Sequence, residues 1–239
     1  MYFLQPHFPL SVFHCPFSIV PFHRPFMKGN LIIISSPSGG GKGTLIKEIL
    51  AAVPDIGYSV SLTTRVQRPG EVDGRDYHFV SRKEFDTFQL DGKFLEFAEV
   101  HGNLYGTSLE QTEKMTSEGK DVILEIDVQG AESVLKKMPE AISIFILPPS
   151  FEALTNRLTA RATETSEQLA LRLSNSFGEV MQYTEFEYVV VNDEIAAASK
   201  RLESIILAER QKRIRQTAAI QDILSSFDKT KHQASGENN

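Results

Sequence analysis

The amino-acid sequence predicts an α/β fold in which a mostly parallel sheet is flanked by helices. Apolar runs that are typical of buried parallel strands occur at residues 31–34, 121–126, 142–147 and 188–191. Segments with helical apolar spacing separate these runs, and alternation of strands with helices favours a parallel sheet. A glycine-rich loop directly follows the first strand. Because the carboxyl ends of such strands commonly border a ligand crevice, we expect functional residues there.

Between the first two of these strands, the sequence predicts a helix and then a small inserted subdomain. The helix carries Leu45, Ile46, Ile49 and Leu50 at helical spacing. A short strand is predicted at residues 58–62. A loop rich in Arg, Gly and Pro follows at 63–76. The rest of the inserted subdomain is predicted to contain strands at 77–80 and 94–100 and helices at 82–90 and 108–118.

The second half of the chain predicts three helices. A Pro-Pro pair ends the strand at 142–147, and Ser150 is a suitable N-cap for a helix over residues 151–161. A second helix is expected to begin near Ser166. The third runs from residue 194 to 215 or beyond, with its apolar side chains toward the core.

Both ends of the chain differ in composition from the rest. Residues 1–26 contain five prolines, six phenylalanines, three histidines and one charged residue, Arg24. The prolines interrupt any helix, and the segment lacks the early positive charge and continuous apolar run of a secretory signal. We expect a disordered extension here, with a targeting or partner-binding segment as the alternative. The polar residues 229–239 predict a disordered tail.

Composition limits the partners that this chain can have. Of its 239 residues, 41% are hydrophobic, enough for a substantial core, and the net charge is −6. A negative net charge disfavours nucleic-acid binding, which usually requires a basic excess. The single cysteine permits no intramolecular disulfide and fits a reducing cytoplasm, and no apolar run of about 18 residues predicts a membrane span. The sequence leaves open whether the protein is a monomer or a homo-oligomer.

The glycine-rich loop has the features of a nucleoside-triphosphate site. Its backbone N–H groups can turn toward a phosphate, the following helix adds its positive end, and Lys42 supplies an ammonium group for the β- and γ-phosphates. The pattern departs from the usual one because Ser36 replaces the first glycine and Gly43 precedes the hydroxyl of Thr44. An ordinary glycine turn is the alternative, but the flanking strand and helix favour a P-loop NTPase-type core. The predicted ATP-binding residues of the loop are Ser36, Pro37, Ser38, Gly39, Gly40, Gly41, Lys42, Gly43 and Thr44.

Six further segments carry a recognisable combination of sequences. They are SLTTRVQRPGEVDGRDYHF at 61–79, FLEFA at 94–98, GNLYGT at 102–107, ILEIDVQG at 123–130, the arginine-containing residues 157–172, and VND at 191–193. Together they resemble guanylate kinases, and the resemblance spans residues 27–210. It implies a core formed by 27–60, 120–148 and 170–228, a GMP-binding subdomain at 61–119, and a helical lid at 149–169.

The chemistry of the subdomain suits the phosphate of a nucleoside monophosphate. Arg65 and Arg68 are fork-shaped cations three residues apart that can bind a phosphate bidentately. Tyr77 and Tyr105 can donate hydroxyl hydrogen bonds to the same group. For the two arginines alone, a solvated surface pair is the alternative.

Glu96 is the residue that we expect to recognise the base. It lies in an apolar segment, where a carboxylate needs hydrogen-bond partners. The N1–H and N2 amino groups of guanine supply two parallel donors, which adenine lacks. Ser61 and Thr107 can contact the remaining edge of the base. An ordinary exposed glutamate on a strand is the alternative.

The resemblance also implies a lid that contributes positive charge. Arg157, Arg161 and Arg172 are expected to stabilise the charge on the transferring phosphoryl group, while closure of the lid excludes water. Surface ion pairs with Glu164 or Glu167 are the alternative.

Residues at or just after the ends of two of the predicted strands complete the expected site. Asp127 can orient magnesium-bound water or contact the acceptor nucleotide, and Glu125 is assigned to the same nucleotide although the family usually has aspartate there. Asn192 is expected to lie against the adenine of ATP. Mg²⁺ is expected to bind through phosphates and water, with Thr44 or Asp127 as protein contacts.

These residues predict an ATP:GMP phosphotransferase. A catalytically inactive guanylate-kinase-like interaction module is the alternative, although it would have no need of Lys42. Adenylate kinases share the style of the loop, but Glu96 and the segment around Arg65 disfavour that activity. The basic residues Arg210, Lys212, Arg213 and Arg215 are interpreted as a solvated helix face.

Overall fold

The computed structural model describes residues 28–100, 102–160 and 166–236, without the side chains of 166–172 and 228–236. The extension predicted at 1–26 lies outside this part of the chain. The described strands are β1 (Leu31–Ser35), β2 (Ile56–Tyr58), β3 (Leu62–Thr63), β4 (His78–Phe79), β5 (Phe94–Val100), β6 (Asn103–Ser108), β7 (Asp121–Glu125), β8 (Ile142–Leu147) and β9 (Tyr188–Val191). The described helices are α1 (Lys42–Ala52), α2 (Arg82–Leu90), α3 (Leu109–Ser117), α4 (Val128–Lys137), α5 (Phe151–Ala160), α6 (Ser166–Met181), α7 (Ile195–Arg210) and α8 (Thr217–Gly236). In this part of the chain, no helix is both long and apolar enough to cross a membrane.

The main sheet is parallel and has the strand order β2-β7-β1-β8-β9. The predicted α/β fold is therefore confirmed. Because β1 is the central strand, the glycine-rich loop that follows it lies in the middle of the carboxyl edge. The ends of β7 and β8 lie on either side of it, which is the usual position of a ligand crevice in such sheets.

Both faces of the main sheet are covered by apolar side chains. Successive residues of a strand point to opposite faces, so Ile32 and Ile34 pack into one buried cluster while Leu31 and Ile33 pack into another. Side chains of α1 and α7 complete the first cluster, and side chains of α4 join the second. This burial on both faces explains why the strands read as continuous apolar runs.

A second, smaller sheet lies within residues 61–119 and has the strand order β4-β3-β6-β5. It has its own apolar cluster, in which the rings of Phe85 and Phe94 lie 4.5 Å apart between centroids. The helix that carries Phe85, α2, begins with a capping box formed by Ser81 and Glu84. The smaller sheet lies within the range predicted for the inserted subdomain.

The single strand predicted at residues 58–62 is wrong, because the structure divides this segment between the two sheets. β2 ends at Tyr58 in the parallel sheet, and β3 begins at Leu62 in the smaller one. The backbone N–H of Ser59 still donates to Ile123 O at 3.0 Å. The crossing brings Ser61 to the boundary between the sheets. Helix α4, which begins immediately after Asp127, was not predicted from the sequence.

The long helix expected from residue 194 is interrupted. In addition, Arg210 at the end of its first part is not the solvated residue that was predicted. α7 ends at Arg210, and a 3-10 turn at Arg213–Gln216 separates it from α8. Arg210 Nε lies 2.7 Å from Oδ2 of buried Asp121, and Oδ1 of the same carboxylate accepts from the Asn30 N–H. Arg210 is therefore a structural ion-pair partner and not part of a solvated face. α8 continues to Gly236, beyond the boundary expected at 229, and no proline interrupts it.

Candidate active site

The glycine-rich loop leads from β1 directly into α1. Gly39 and Gly41 have φ angles of 83° and 91°, a left-handed conformation that favours glycine. Gly41 is also the N-cap of α1, and the first amides of a helix have no intrahelical partner. Together with the positive end of the helix dipole, these amides form a binding site for an anion such as a phosphate.

Side chains from behind the loop hold its conformation. Asn192 is buried, and its Nδ2 donates to Gly40 O at 2.9 Å. Arg157 on α5 donates to Asn192 O at 2.8 Å and to Gly40 O at 3.4 Å. The space around Gly41 is filled by the same amide, since a methyl group there would lie 2.3 Å from Asn192 Nδ2. Asn192, which was predicted to contact the adenine, and Arg157, which was predicted to stabilise the transferring phosphoryl group, thus both support the loop.

A cleft of about 320 Å³ separates the loop from the smaller sheet. Most residues predicted for the two nucleotides line this one cleft. They are Ser36, Pro37, Ser38, Gly39, Gly40, Gly41, Lys42, Gly43, Ser61, Tyr77, Glu96, Tyr105, Glu125 and Asp127. The topology explains this convergence, because the loop, the end of β7 and the smaller sheet meet at the carboxyl edge of the main sheet.

Glu96 lies on the wall opposite the loop and is 4% exposed. Its Oε1 accepts a hydrogen bond of 2.5 Å from the hydroxyl of Thr107. Burial raises the pKa of the Glu96 carboxyl to about 7, and the charge of Asp127 acts in the same direction. Gly130 makes room for this side chain, since a methyl group there would lie 2.8 Å from Glu96 Oε2. The exposed-glutamate alternative therefore does not apply.

Tyr77 and Tyr105 lie side by side, with ring centroids 5.8 Å apart in an edge-to-face arrangement. Burial, assisted by the charge of Glu125, raises the pKa of Tyr77 to about 12. Its hydroxyl therefore stays protonated near neutral pH and can donate a hydrogen bond. The Arg65 guanidinium lies over the Tyr77 ring, 5.3 Å from its centroid.

Glu71 positions the arginine-containing loop of the subdomain. Its Oε1 lies 2.7 Å from Arg65 Nη2, and its Oε2 accepts from the backbone N–H of Arg68 at 2.8 Å. One carboxylate thus joins the two positions that were predicted to bind a phosphate. The side chain of Arg68 is exposed and does not line the cleft.

Two acidic residues lie at the end of β7: Glu125 is its last residue, and Asp127 follows two positions later. Glu125 Oε2 accepts a hydrogen bond of 3.1 Å from the Tyr58 hydroxyl, and burial raises the pKa of that tyrosine. Asp127 Oδ1 accepts from the Gly130 N–H at 2.8 Å and thereby caps α4. Lys42 Nζ lies 3.5 Å from Ile126 O, so the ammonium group reaches the same edge. Within the described residues, no three His, Cys, Asp or Glu side chains converge as a metal site.

The sequence model of the guanylate kinase family matches residues 28–209. This chain belongs to the guanylate kinase family. The resemblance predicted from the sequence is therefore confirmed.

Individual guanylate kinases are similar to this chain over most of their length. That of Symbiobacterium thermophilum is 46% identical over 197 residues, which cover 82% of this chain and 93% of the relative. That of Neisseria meningitidis serogroup A is 48% identical over 201 residues, covering 84% and 98%. The crystal structure of guanylate kinase from Anaplasma phagocytophilum matches with a TM-score of 0.66 and 35% identity, covering 79% of this chain and 90% of that chain.

Some predicted residues of this guanylate kinase family member do not line the cleft. Thr107 acts through its bond to Glu96, whereas Thr44 and Arg65 are not among the lining residues. Arg161 lies outside the described residues, and Arg172 lies on α6 with its side chain outside the description.

The cleft also contains residues that sequence analysis missed. They are Ala98, Val100, Ile126, Val128, Gln129 and Glu179. Ala98 and Val100 lie on the same strand as Glu96, so period-two alternation could have indicated them. Glu179 gave no such signal, because it comes from a helix that is distant in sequence.

Proposed function

We propose that this chain transfers the γ-phosphoryl group of ATP to the phosphate of GMP, giving ADP and GDP. The observation that carries the proposal is the position of Glu96 across one cleft from the phosphate loop. The loop suits the triphosphate of the donor, and the buried carboxylate suits the base of the acceptor. With the donor bound at the loop and the acceptor at Glu96, the two reacting phosphates would lie next to each other in the cleft. This proximity is the main requirement for transfer.

The donor half consists of the loop amides and Lys42. The amides at the start of α1 bind phosphate oxygens, and the Lys42 ammonium group neutralises charge on the β- and γ-phosphates. Asn192 and Arg157 keep the loop in shape through the Gly40 carbonyl. We assign contact with the adenine to Asn192, and transition-state charge stabilisation to Arg157, Arg161 and Arg172.

The acceptor half recognises the guanine base of GMP and binds its phosphate group. An ionised Glu96 accepts hydrogen bonds from N1–H and from the N2 amino group, and Thr107 fixes the orientation of the carboxylate. Ser61 contacts the remaining edge of the base. The hydroxyls of Tyr77 and Tyr105 donate to the phosphate, and Arg65 and Arg68 supply its positive charge. Glu125 and Asp127 contact the same nucleotide from the end of β7.

The transfer itself requires no general base from the protein. A phosphate monoester has a second pKa near 6, so the acceptor oxygen is largely ionised at neutral pH. Positioning and charge neutralisation therefore account for the rate. The half-buried cleft serves this purpose because charges interact more strongly away from bulk water.

We propose that Mg²⁺ accompanies ATP. The donor set fits this ion, because Mg²⁺ prefers oxygen ligands and usually binds through substrate phosphates, waters and one or two protein oxygens. Thr44 in the first turn of α1 and Asp127 beside the cleft are the candidate protein contacts. When bound, the ion neutralises negative charge on the phosphates. We also propose a cytoplasmic location, which the single cysteine supports.

Acceptor specificity provides the direct test of this function. The full chain with ATP and Mg²⁺ is expected to release ADP rapidly with GMP, and slowly with AMP, with UMP or without an acceptor. A coupled assay of ADP release makes the measurement. Release that is equally slow in all four reactions would favour the inactive interaction module, and a preference for AMP would favour adenylate kinase activity.

Gly130→Ala is expected to raise the KM for GMP by about tenfold or more, because the new methyl group would displace the Glu96 carboxylate. The KM for ATP should change little, since the loop is on the opposite wall. Steady-state kinetics with each substrate varied in turn make the measurement. Gly178→Ala on α6 is the matched control, because nothing lies within 4 Å of a methyl group there. Equal effects of the two substitutions would contradict the assigned guanine site.

A further inference from the structure

We propose that Glu179 is a positioning residue that joins helix α6 to the phosphate loop. Its Oε2 accepts a hydrogen bond of 2.8 Å from the backbone N–H of Ser38, 141 residues earlier in the chain. The side chain is partly buried and borders the cleft. The inference rests on the proposed function, because it assigns a task within the ATP half of the site.

The contact is unusual in its electrostatics. A carboxylate beside a triphosphate site opposes the negative charge of the ligand, which is unfavourable at short range. A surface glutamate would avoid this position by turning into solvent. Here it is held by a charge-assisted hydrogen bond to a main-chain donor, and such bonds are stronger than neutral ones. The placement is therefore explained if the bond fixes the loop.

Glu179 holds a part of the loop that the other supports do not reach. Arg157 and Asn192 both bind the Gly40 carbonyl, and Leu158 packs against Gly39, where a methyl group would lie 2.9 Å from its Cγ. Those contacts come from α5 and from the end of β9. Ser38 precedes them in the loop, and its amide is bonded from α6 instead.

The amide that Glu179 uses belongs to Ser38, a residue predicted to bind ATP, but it is separate from the amides at the start of α1. The free N–H groups at the start of α1 follow Gly41, whereas Ser38 lies before the first left-handed glycine. Glu179 therefore fixes the loop without occupying the amides of the helix terminus. Its negative charge remains at the edge of the triphosphate site.

The same bond sets the position of α6 relative to the donor nucleotide. Arg172, the predicted cation of this helix, lies seven residues before Glu179, which is about 10 Å along a helix. With Glu179 bonded to Ser38, α6 has a fixed distance from the loop. Without this bond, the distance between the loop and the helix that carries Arg172 would be less constrained.

The test compares Glu179→Ala with Glu179→Gln in the full chain. The alanine variant should lose about tenfold to hundredfold in kcat/KM for ATP, the loss expected for a hydrogen bond to a charged group. The Gln variant should retain most of the activity, because its amide oxygen can still accept from Ser38. Calorimetric affinity for GMP should change less than twofold in both. Glu185→Ala, in the exposed turn after α6, is the control that should match the parent protein.

A double-mutant cycle with Arg172→Ala separates positioning from general stability. If Glu179 acts by positioning α6, Glu179→Ala should cost less in the Arg172→Ala background than alone. Fully additive losses, or a fall in melting temperature together with GMP affinity, would show a merely structural role. Tighter ATP binding by Glu179→Ala would overturn the proposal by identifying the carboxylate as a competitor of phosphate.

These outcomes are distinguishable from a failure of the proposed function. If the parent protein preferred an acceptor other than GMP, the proposed function would be wrong. The positioning role of Glu179 could still be tested in that case, by measuring the ATP kinetics of the Glu179 variants with the preferred acceptor. Unchanged ATP kinetics in Glu179→Ala would reject the positioning role alone.

Discussion

Lys42→Ala is expected to lower the rate of phosphoryl transfer by about 10³-fold or more while the affinity for GMP is retained. Lys42 is the first residue of α1, and its ammonium group lies 3.5 Å from Ile126 O at the carboxyl edge. We therefore expect it to neutralise the ATP phosphates, where negative charge builds up on the leaving oxygen during transfer. In the proposed site, GMP would be bound by Glu96 and the two tyrosines, which line the same cleft. Turnover by coupled assay and GMP affinity by calorimetry make the measurement.

Lys136→Ala is the matched control for this substitution. Lys136 is exposed on α4 and pairs with Glu132, so its removal should leave both quantities unchanged. If Lys42→Ala lost GMP affinity as completely as activity, the division of the cleft into donor and acceptor halves would be incorrect.

Glu96→Gln should remove most of the preference for GMP over AMP. Two charge-assisted hydrogen bonds, worth about 1.5–3 kcal/mol each, together with the cost of leaving a buried carboxylate unpaired against adenine, can support discrimination on the order of 10⁴. The glutamine amide presents one acceptor and one donor, so its NH₂ group would face a donor of guanine. Steady-state kinetics with GMP and AMP make the measurement, and the KM for ATP should hardly change.

The pH dependence of the same pair of proteins gives a second, independent readout. In the proposed site, GMP requires ionised Glu96, and burial raises the pKa of this carboxyl to about 7. Protonation of Glu96 should therefore lower the parent kcat/KM for GMP about tenfold for each pH unit below pH 7. The Gln variant should lack this step, although both proteins share the ionisation of the GMP phosphate near pH 6.

Stability should change in the opposite direction from activity. The folded pKa of Glu96 is raised from 4.5 to about 7, so the native state binds more protons than the unfolded state between these values. The stability that protonation provides is present below pH 4.5 and is lost as the pH rises through 7. Glu96→Gln should thus raise the free energy of unfolding at pH 8, by at most about 3 kcal/mol, with little effect at pH 4.

Glu99→Gln is the control, because Glu99 is exposed on the same strand and does not line the cleft. It should alter neither specificity nor the pH profile. Unchanged catalytic efficiency of Glu96→Gln toward GMP would show that Glu96 does not recognise the base, and base recognition would then depend on Ser61 and Thr107.

The sequence by itself determined the features that are encoded locally. The apolar runs at β1, β7 and β8 report burial on both faces of a parallel sheet, and glycine spacing reports a phosphate loop. Glu96 was expected to need a hydrogen-bond partner because a carboxylate between apolar residues is costly without one, and the structure shows it buried and bonded to Thr107. Each inference depends on neighbours within a few residues, where side-chain periodicity and backbone conformation are readable.

Only the tertiary structure decided which of these elements contact one another. Only residues 59–61 separate β2 from β3, so local periodicity could not show that the two strands belong to different sheets. Arg210 resembled a solvated helix residue because its partner, Asp121, is 89 positions away. Glu179 carried no signal for the same reason, since its bond to Ser38 depends on how α6 packs beside the loop. Local patterns record how buried a residue is, whereas its partners are set by the packing of the whole chain.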